Sequence, residues 1–203
     1  MSKSGHIWRL IYTREIGDLV DILNVSVKRL EKFALNAILI TRLKTKQFEI
    51  KKDEIHLSSL INEVLNEEKD KFQCRKIKVT IKDELPEGLI PGEPELIKKC
   101  VDNILDNAIA FSPQDGNINI NTYAEGHNII CEFKDHGKGF ETGVIENAFK
   151  LFTTGREYHD NCTGIGLPIV KMIMEAHGGS IIIGNNPGGG ASVKLLFKNG
   201  LES

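Results

Sequence analysis

Early in this chain, apolar residues recur at alternating spacings of four and three: Ile16, Val20, Leu23, Val27, Leu30, Ala34 and Ala37. This heptad seam predicts a helix from Ile16 to about Thr41. Leu19, Phe33 and Ile40 widen one side of it, giving a face broader than a two-stranded zipper needs. A stripe of that width fits a helix inside a bundle. No second long heptad run exists in the sequence, so the bundle's other members are expected from another copy or from outside the chain. Upstream, Ile7, Trp8, Leu10 and Ile11 read as the end of a preceding helix, with a turn near Thr13 to Gly17.

The period then changes. Thr45 to Asp53 is polar, and Phe48, Ile50, Ile55 and Leu57 alternate loosely, as an edge strand would. A domain boundary is therefore expected near 44–52, dividing a helical segment (7–47) from a second domain (48–200). Ser58 is a plausible N-cap for a helix presenting Leu60, Ile61, Val64 and Leu65. Ile77, Val79 and Ile81 alternate with Lys78, Thr80 and Lys82, which marks a half-buried strand. Pro86, Gly88, Pro91 and Gly92 mark turns.

From Glu93 to about Phe111 an apolar set at helical spacing runs through Leu96, Ile97, Cys100, Val101, Ile104, Leu105, Ala108 and Ile109, closed by Ser112-Pro113. Two strands follow, Ile118 to Tyr123 and Ile129 to Phe133, joined at Glu125-Gly126. A further helix after Gly166 starts with Pro168 in its first turn and ends at Gly178-Gly179. Strands Ser180 to Ile183 and Ser192 to Phe197 close the chain. Helices and antiparallel hairpins in this order predict an α+β fold, a two-layer α/β sandwich preceded by the long helix.

Composition narrows the function classes. A net charge of -2 over 203 residues leaves no footprint for nucleic acid or an anionic membrane. No apolar run of about 18 residues and no signal-peptide core is present, so a cytoplasmic chain without a membrane segment is expected. Cys74, Cys100, Cys131 and Cys162 lack metal-ligand or disulfide spacing and read as buried free thiols. The glycosylation-like triplets at Asn24 and Asn161 are then chance matches.

Asn103 and Asn107 lie one turn apart on the edge of the apolar helix. Mg²⁺ prefers oxygen ligands and shares its shell among phosphates, waters and a few protein groups. The Asn107 amide oxygen can fill one such position without adding charge beside a triphosphate, while Asn103 can contact a phosphate or an ordered water. Asp135 ends a strand within Asp-His-Gly-Lys-Gly. An ionised carboxylate only accepts hydrogen bonds, so it would take the exocyclic amine of adenine and repel the carbonyl of guanine. Gly137 and Gly139 would let the backbone approach the base. Gly164 and Gly166 precede a helix N-terminus, where backbone amides and the helix dipole favour phosphate. Between these motifs, Phe149 and Phe152 read as loop anchors, and Gly155 to Asn161 reads as a polar lid carrying Arg156 and His159.

In this order the pieces resemble the catalytic, ATP-binding domain of sensor histidine kinases, within the Bergerat-fold ATPase and kinase superfamily. NILDNA (Asn103 to Ala108) is similar to the N box, DHGKG (Asp135 to Gly139) to the G1 box, Phe149 to Phe152 to the F box, and TGIGL (Thr163 to Leu167) to the G2 box. The resemblance covers roughly residues 50–198. The preceding heptad helix resembles the second helix of the dimerisation and histidine-phosphotransfer domain. It implies a mixed sheet covered by helices, ATP and Mg²⁺ as cofactors, and Asn103 and Asn107 as catalytic residues, with Asn107 on the metal. The implied nucleotide contacts are Asn103, Asn107, Asp135, Gly137, Gly139, Phe152, Thr163, Gly164, Ile165, Gly166 and Leu167.

Hydrolytic members of the superfamily carry a glutamate one turn before the magnesium asparagine; here that position is Asn103. The resemblance therefore implies phosphoryl transfer to a protein histidine and relay to a response regulator aspartate. Its implied partners are the chain's own phosphotransfer domain, a second protomer and a receiver domain. No H box is present: His6 is followed by Ile-Trp-Arg-Leu, so the acceptor histidine is expected outside this sequence. Ala110, where many histidine kinases have a basic residue, and Cys162, where the G2 box often begins with glycine, depart from the pattern. They leave open a degenerate, non-catalytic nucleotide-binding or scaffold module.

Overall fold

A computed structural model describes residues 3–45, 50–85, 88–153 and 164–198. The chain divides into two compact units, Met1–Thr45 and Lys46–Ser203. The first is one helix, α1 (Lys3–Lys44), whose 42 residues make a rod about 63 Å long at 1.5 Å per residue. The turn expected near Thr13 to Gly17 does not form. No proline interrupts the run, and Gly17 costs only about 1 kcal/mol against alanine. Ser26 and Thr41 bond back to the carbonyls of Ile22 and Ala37 at 2.8 and 2.9 Å, and Arg42 and Lys44 sit at the negative end of the helix dipole. The seam is not buried within the chain: Val20 is 46% exposed and Leu30 69%.

The second unit begins with β1 (Asp53–His56) and α2 (Leu57–Glu67). Ser58 is not the cap; the helix has already started at Leu57, and the Ser58 hydroxyl donates instead to Asp83 at 2.5 Å. The short helix α3 (Lys69–Cys74) leads into β2 (Lys78–Asp83). β3 (Leu89–Gly92) is a strand where turns were expected, pairing antiparallel with β1 so that Ile55 stands opposite Ile90. Among the described residues this ribbon has two strands, so each leaves one side unpaired and Pro91 is tolerated.

α4 (Pro94–Phe111) follows, then β4 (Asn117–Glu125) and β5 (Asn128–Asp135). A single helical turn, α5 (Thr142–Ile145), precedes α6 (Gly166–Ala176), β6 (Ser180–Asn185) and β7 (Ala191–Lys198). The main sheet has the order β2-β4-β5-β7-β6. Only the β2–β4 pair is parallel, because α4 carries the chain across between them.

Alternation divides the sheet into two faces. Ile118, Ile120, Cys131, Phe133, Val193, Leu195 and Phe197 are buried on one of them, where register puts Ile120 beside Phe133 and Phe133 beside Val193. The helices pack as a second layer, with α4 against α2, α6 and β5, and α6 against β6 and β7. This is the mixed sheet with a helical layer expected from the sequence. The eight apolar residues of the α4 stripe are all buried, each full-sized one contributing about 1.5–3 kcal/mol. The opposite face carries Glu132, which accepts from Ser192 at 3.0 Å and pairs with Lys134 at 2.9 Å.

At the far end of α4 the Arg75 guanidinium donates to the carbonyls of Ala110 and Ser112 at 3.1 and 2.8 Å, satisfying acceptors the helix leaves open. Cys100 and Cys131 are buried free thiols whose pKa burial pushes well up; Cys74 is also free but exposed. Cys162 lies outside the described residues. Among the described residues no helix is long and apolar enough to cross a membrane.

Candidate active site

α4 and α6 cross where the two predicted phosphate-facing motifs meet. Asn103 is only 5% exposed, and its Nδ2 donates to the Lys99 carbonyl at 2.7 Å. That internal bond leaves its Oδ1 facing the start of α6, where a methyl placed on Gly166 would stand 3.4 Å away. The same methyl would be 3.8 Å from Nδ2 of the half-buried Asn107. The N box and the first residue of α6 thus form one wall. At this helix end Ile169 bonds back to the Ile165 carbonyl at 3.1 Å and Pro168 has no N–H. The first-turn amides suited to an anion are those of Gly166 and Leu167. Ile165 itself is a core residue, 2% exposed.

Asp135 closes the second wall. It is buried at 7% exposure, and its Oδ1 accepts two backbone N–H groups, from Gly137 at 2.8 Å and from Ala191 at 3.0 Å. Two donors on one oxygen fix the carboxylate plane. Oδ2 takes part in neither bond, so it is the oxygen suited to a ligand's amine. Gly137 and Gly139 are required by the protein itself as much as by any ligand. A Cβ on Gly137 would collide with the Phe111 carbonyl, and one on Gly139 would come within 2.7 Å of Asn185 Oδ1.

Phe152 and Gly164 meet, the Phe152 N–H donating to the Gly164 carbonyl at 2.9 Å. Phe152 holds φ at 66° and stays 65% exposed, an unfavourable backbone for a non-glycine residue. Phe149 lies beneath the Lys171 ammonium, 5.1 Å from its ring centroid. Thr163, Arg156, His159 and the rest of 154–163 lie outside the described residues.

The carboxylates next to the asparagines face elsewhere. Lys71 pairs with Asp106 at 2.8 Å and also with Glu68, while Lys99 approaches Asp102 at 3.8 Å. Glu68, Asp102 and Asp106 are clustered closely enough to share an ion, their oxygens within 4.8 Å of one another, but Lys71 already answers that charge.

Sequence reasoning missed three residues of the β6–β7 turn: Asn185, Asn186 and Ala191. Their contacts with the 135–140 segment are side chain to backbone, or backbone to side chain, across some 50 residues of sequence. An Asn-Asn pair before Pro-Gly-Gly-Gly gave only a turn signal.

Comparison with known proteins now adds to this geometry. Residues 92–200 match the family described as histidine kinase-, DNA gyrase B-, and HSP90-like ATPase. The sensor protein KdpD of Clostridium acetobutylicum is 32% identical over 163 residues, covering 79% of this chain and 18% of that protein. The adaptive-response sensory kinase SasA of Trichormus variabilis is 33% identical over 147 residues, 69% of this chain and 35% of that protein. The chain thus spans about a third or less of these relatives. Among solved structures, the Acinetobacter baumannii histidine kinase AdeS superposes with a TM-score of 0.73 at 20% identity, over 86% of this chain and 80% of the other. Histidine kinase ThkA, solved in complex with the response regulator protein TrrA, gives 0.67 at 19% identity over 84% and 49%. At those identities the structural likeness speaks for the fold.

Proposed function

We propose, from the premise that the chain belongs to the family of histidine kinase-, DNA gyrase B- and HSP90-like ATPases, that it is the ATP-binding catalytic part of a two-component sensor histidine kinase. It transfers the γ-phosphoryl group of ATP to a histidine beyond these 203 residues, for relay to an aspartate of a response regulator. The observation that carries the reading is the pairing of the two walls: Asp135, oriented by Gly137 and Ala191, for adenine, and Asn103 and Asn107 against the α6 N-terminus for the phosphates.

Asp135 accepts the adenine amine, and the amides of Gly166 and Leu167 receive phosphate oxygens at the positive end of α6. The half-buried Asn107 amide suits Mg²⁺, which would neutralise charge on the transferring phosphates. Asn103, whose Nδ2 is tied to Lys99, offers no carboxylate to activate water. Transfer then rests on positioning: an imidazole nitrogen forms the P–N bond as the bond to ADP's oxygen breaks.

α1 fits the role of a phosphotransfer-domain helix, with 7–47 as the partial helical segment and 48–200 as the catalytic domain. Its exposed seam suits bundling with the chain's own acceptor helix and with a second protomer, in the cytoplasm. Calorimetric titration with ATP, with and without Mg²⁺, tests the reading: micromolar-range, Mg²⁺-dependent binding that Asp135→Ala abolishes is expected. No affinity in the unaltered chain refutes it. The second reading, a nucleotide-binding module without catalysis, draws on Ala110, which places no basic side chain on the phosphate flank. Binding without phosphoryl transfer to an added acceptor domain would favour it.

A further inference from the structure

The segment from Asp135 to Phe140 is gripped at both ends by the same turn. At its start, Asn186 Nδ2 donates to the Asp135 carbonyl at 3.1 Å and to the Ala191 carbonyl at 2.9 Å. At its end, the Asn185 amide closes both hydrogen bonds with one residue: Oδ1 accepts from the Phe140 N–H at 2.7 Å, and Nδ2 donates to the Phe140 carbonyl at 2.9 Å. Between the two grips, Ala191 N–H orients the Asp135 carboxylate itself. The turn is well anchored to do this. Asn185 pairs with Ala191 in the β6–β7 ladder, and the Asn186 N–H donates to the Gly190 carbonyl at 2.9 Å.

We propose that Asn185 and Asn186 are positioning residues of the adenine pocket, holding the Asp135–Phe140 backbone in its ligand-ready form through the β6–β7 turn. The inference rests on the ATP-binding reading above and assigns its base selectivity to a second, distant piece of chain. The reason is preorganisation. The segment contains Gly137 and Gly139, the latter at φ 75°, and belongs to no helix or strand beyond Asp135. A glycine-rich stretch freed from its grips samples many backbone states, and ordering it would then be charged against ligand binding. An asparagine side chain suits the task because its amide copies a peptide group, offering one acceptor and two donors on a short, stiff stem.

The two grips differ chemically, which makes them testable apart from general stability. At 185 the side chain both accepts and donates, so Asn185→Asp keeps the bond from the Phe140 N–H and loses one. At 186 both bonds are donated, so Asn186→Asp keeps neither and sets a carboxylate against two carbonyls. The experiment is calorimetric titration of the full chain with Mg-ADP, alongside circular dichroism at 25 °C to show that each variant is folded. Asn185→Ala and Asn186→Ala are each expected to weaken ADP binding about tenfold. Asn185→Asp should bind more tightly than Asn185→Ala, and Asn186→Asp no more tightly than Asn186→Ala. ADP affinities of the alanine variants within about twofold of the unaltered chain overturn the proposal, as does the reverse order of the aspartate variants. An unaltered chain that does not bind ADP overturns the ATP reading itself, and this inference with it.

Discussion

Gly166 and Asn103 approach so closely that a methyl group at 166 would stand 3.4 Å from the Asn103 Oδ1. That is ordinary van der Waals contact, so the fold accepts alanine there, and a glycine at the start of a helix is not the more stable choice. The methyl would instead occupy the approach to the asparagine pair and to the first-turn amides of α6. Gly166→Ala is therefore expected to keep or raise the unfolding free energy, by up to about 1 kcal/mol, while weakening ATP at least about tenfold. Urea unfolding and calorimetry on the same variant check both halves.

At Gly190 the same substitution should cost stability as well as binding. Its φ is 86°, and a Cβ there would be driven into the Asp135 carbonyl and the His136 backbone. Neither neighbour can move without disturbing the carboxylate's two N–H partners. Gly190→Ala should cost about 2 kcal/mol or more in urea unfolding and remove ADP binding with it. A variant of unchanged stability would contradict the packing described for this turn.

Asn107 is the residue on which Mg²⁺ dependence should converge. If its amide supplies a metal oxygen, Asn107→Ala leaves ATP affinity measured in EDTA nearly unchanged and erases the gain on adding Mg²⁺. Paired titrations, with and without the cation, read this directly. Equal loss under both conditions would move Asn107 from the metal to the nucleotide.

Much of this was legible in the sequence because the signals were local. The stripe from Leu96 to Ile109 reports burial within one element, and the structure buries those residues, while the Ser112-Pro113 stop marks a helix end that falls at Phe111. Asp135 was readable because strand end and glycines are contiguous. Other features depend on contacts distant in sequence. Ser58 resembles a cap until β2 brings Asp83 beside it. Pro91 resembles a turn until β1 pairs with its strand. Asn185 and Asn186 resemble turn residues until β7 places them against the Asp135–Phe140 segment. α1 shows the converse, since heptad periodicity marks the seam but carries nothing about where the helix starts.

His177 ties the end of α6 to the start of α4, and its protonation should loosen that tie. Its Nδ1–H donates to the Ile173 carbonyl at 2.7 Å, and Nε2 accepts the Glu93 N–H at 3.0 Å, so the ring is neutral with its tautomer fixed. Burial holds its pKa below the ordinary 6.5, with Lys52 adding to the effect, against the opposing pull of the Ile173 carbonyl and Glu93. The sign follows from linkage. Between the depressed folded value and 6.5 the unfolded chain binds more protons than the folded one, so stability falls as pH drops. The contribution is complete above 6.5 and is lost on acidification through the folded pKa. His177→Gln keeps an acceptor for Glu93 but cannot titrate. Its melting temperature should therefore fall less steeply than that of the unaltered chain between about pH 7 and pH 5. Parallel slopes in differential scanning calorimetry would show that carboxylates, and not His177, govern the acid limb.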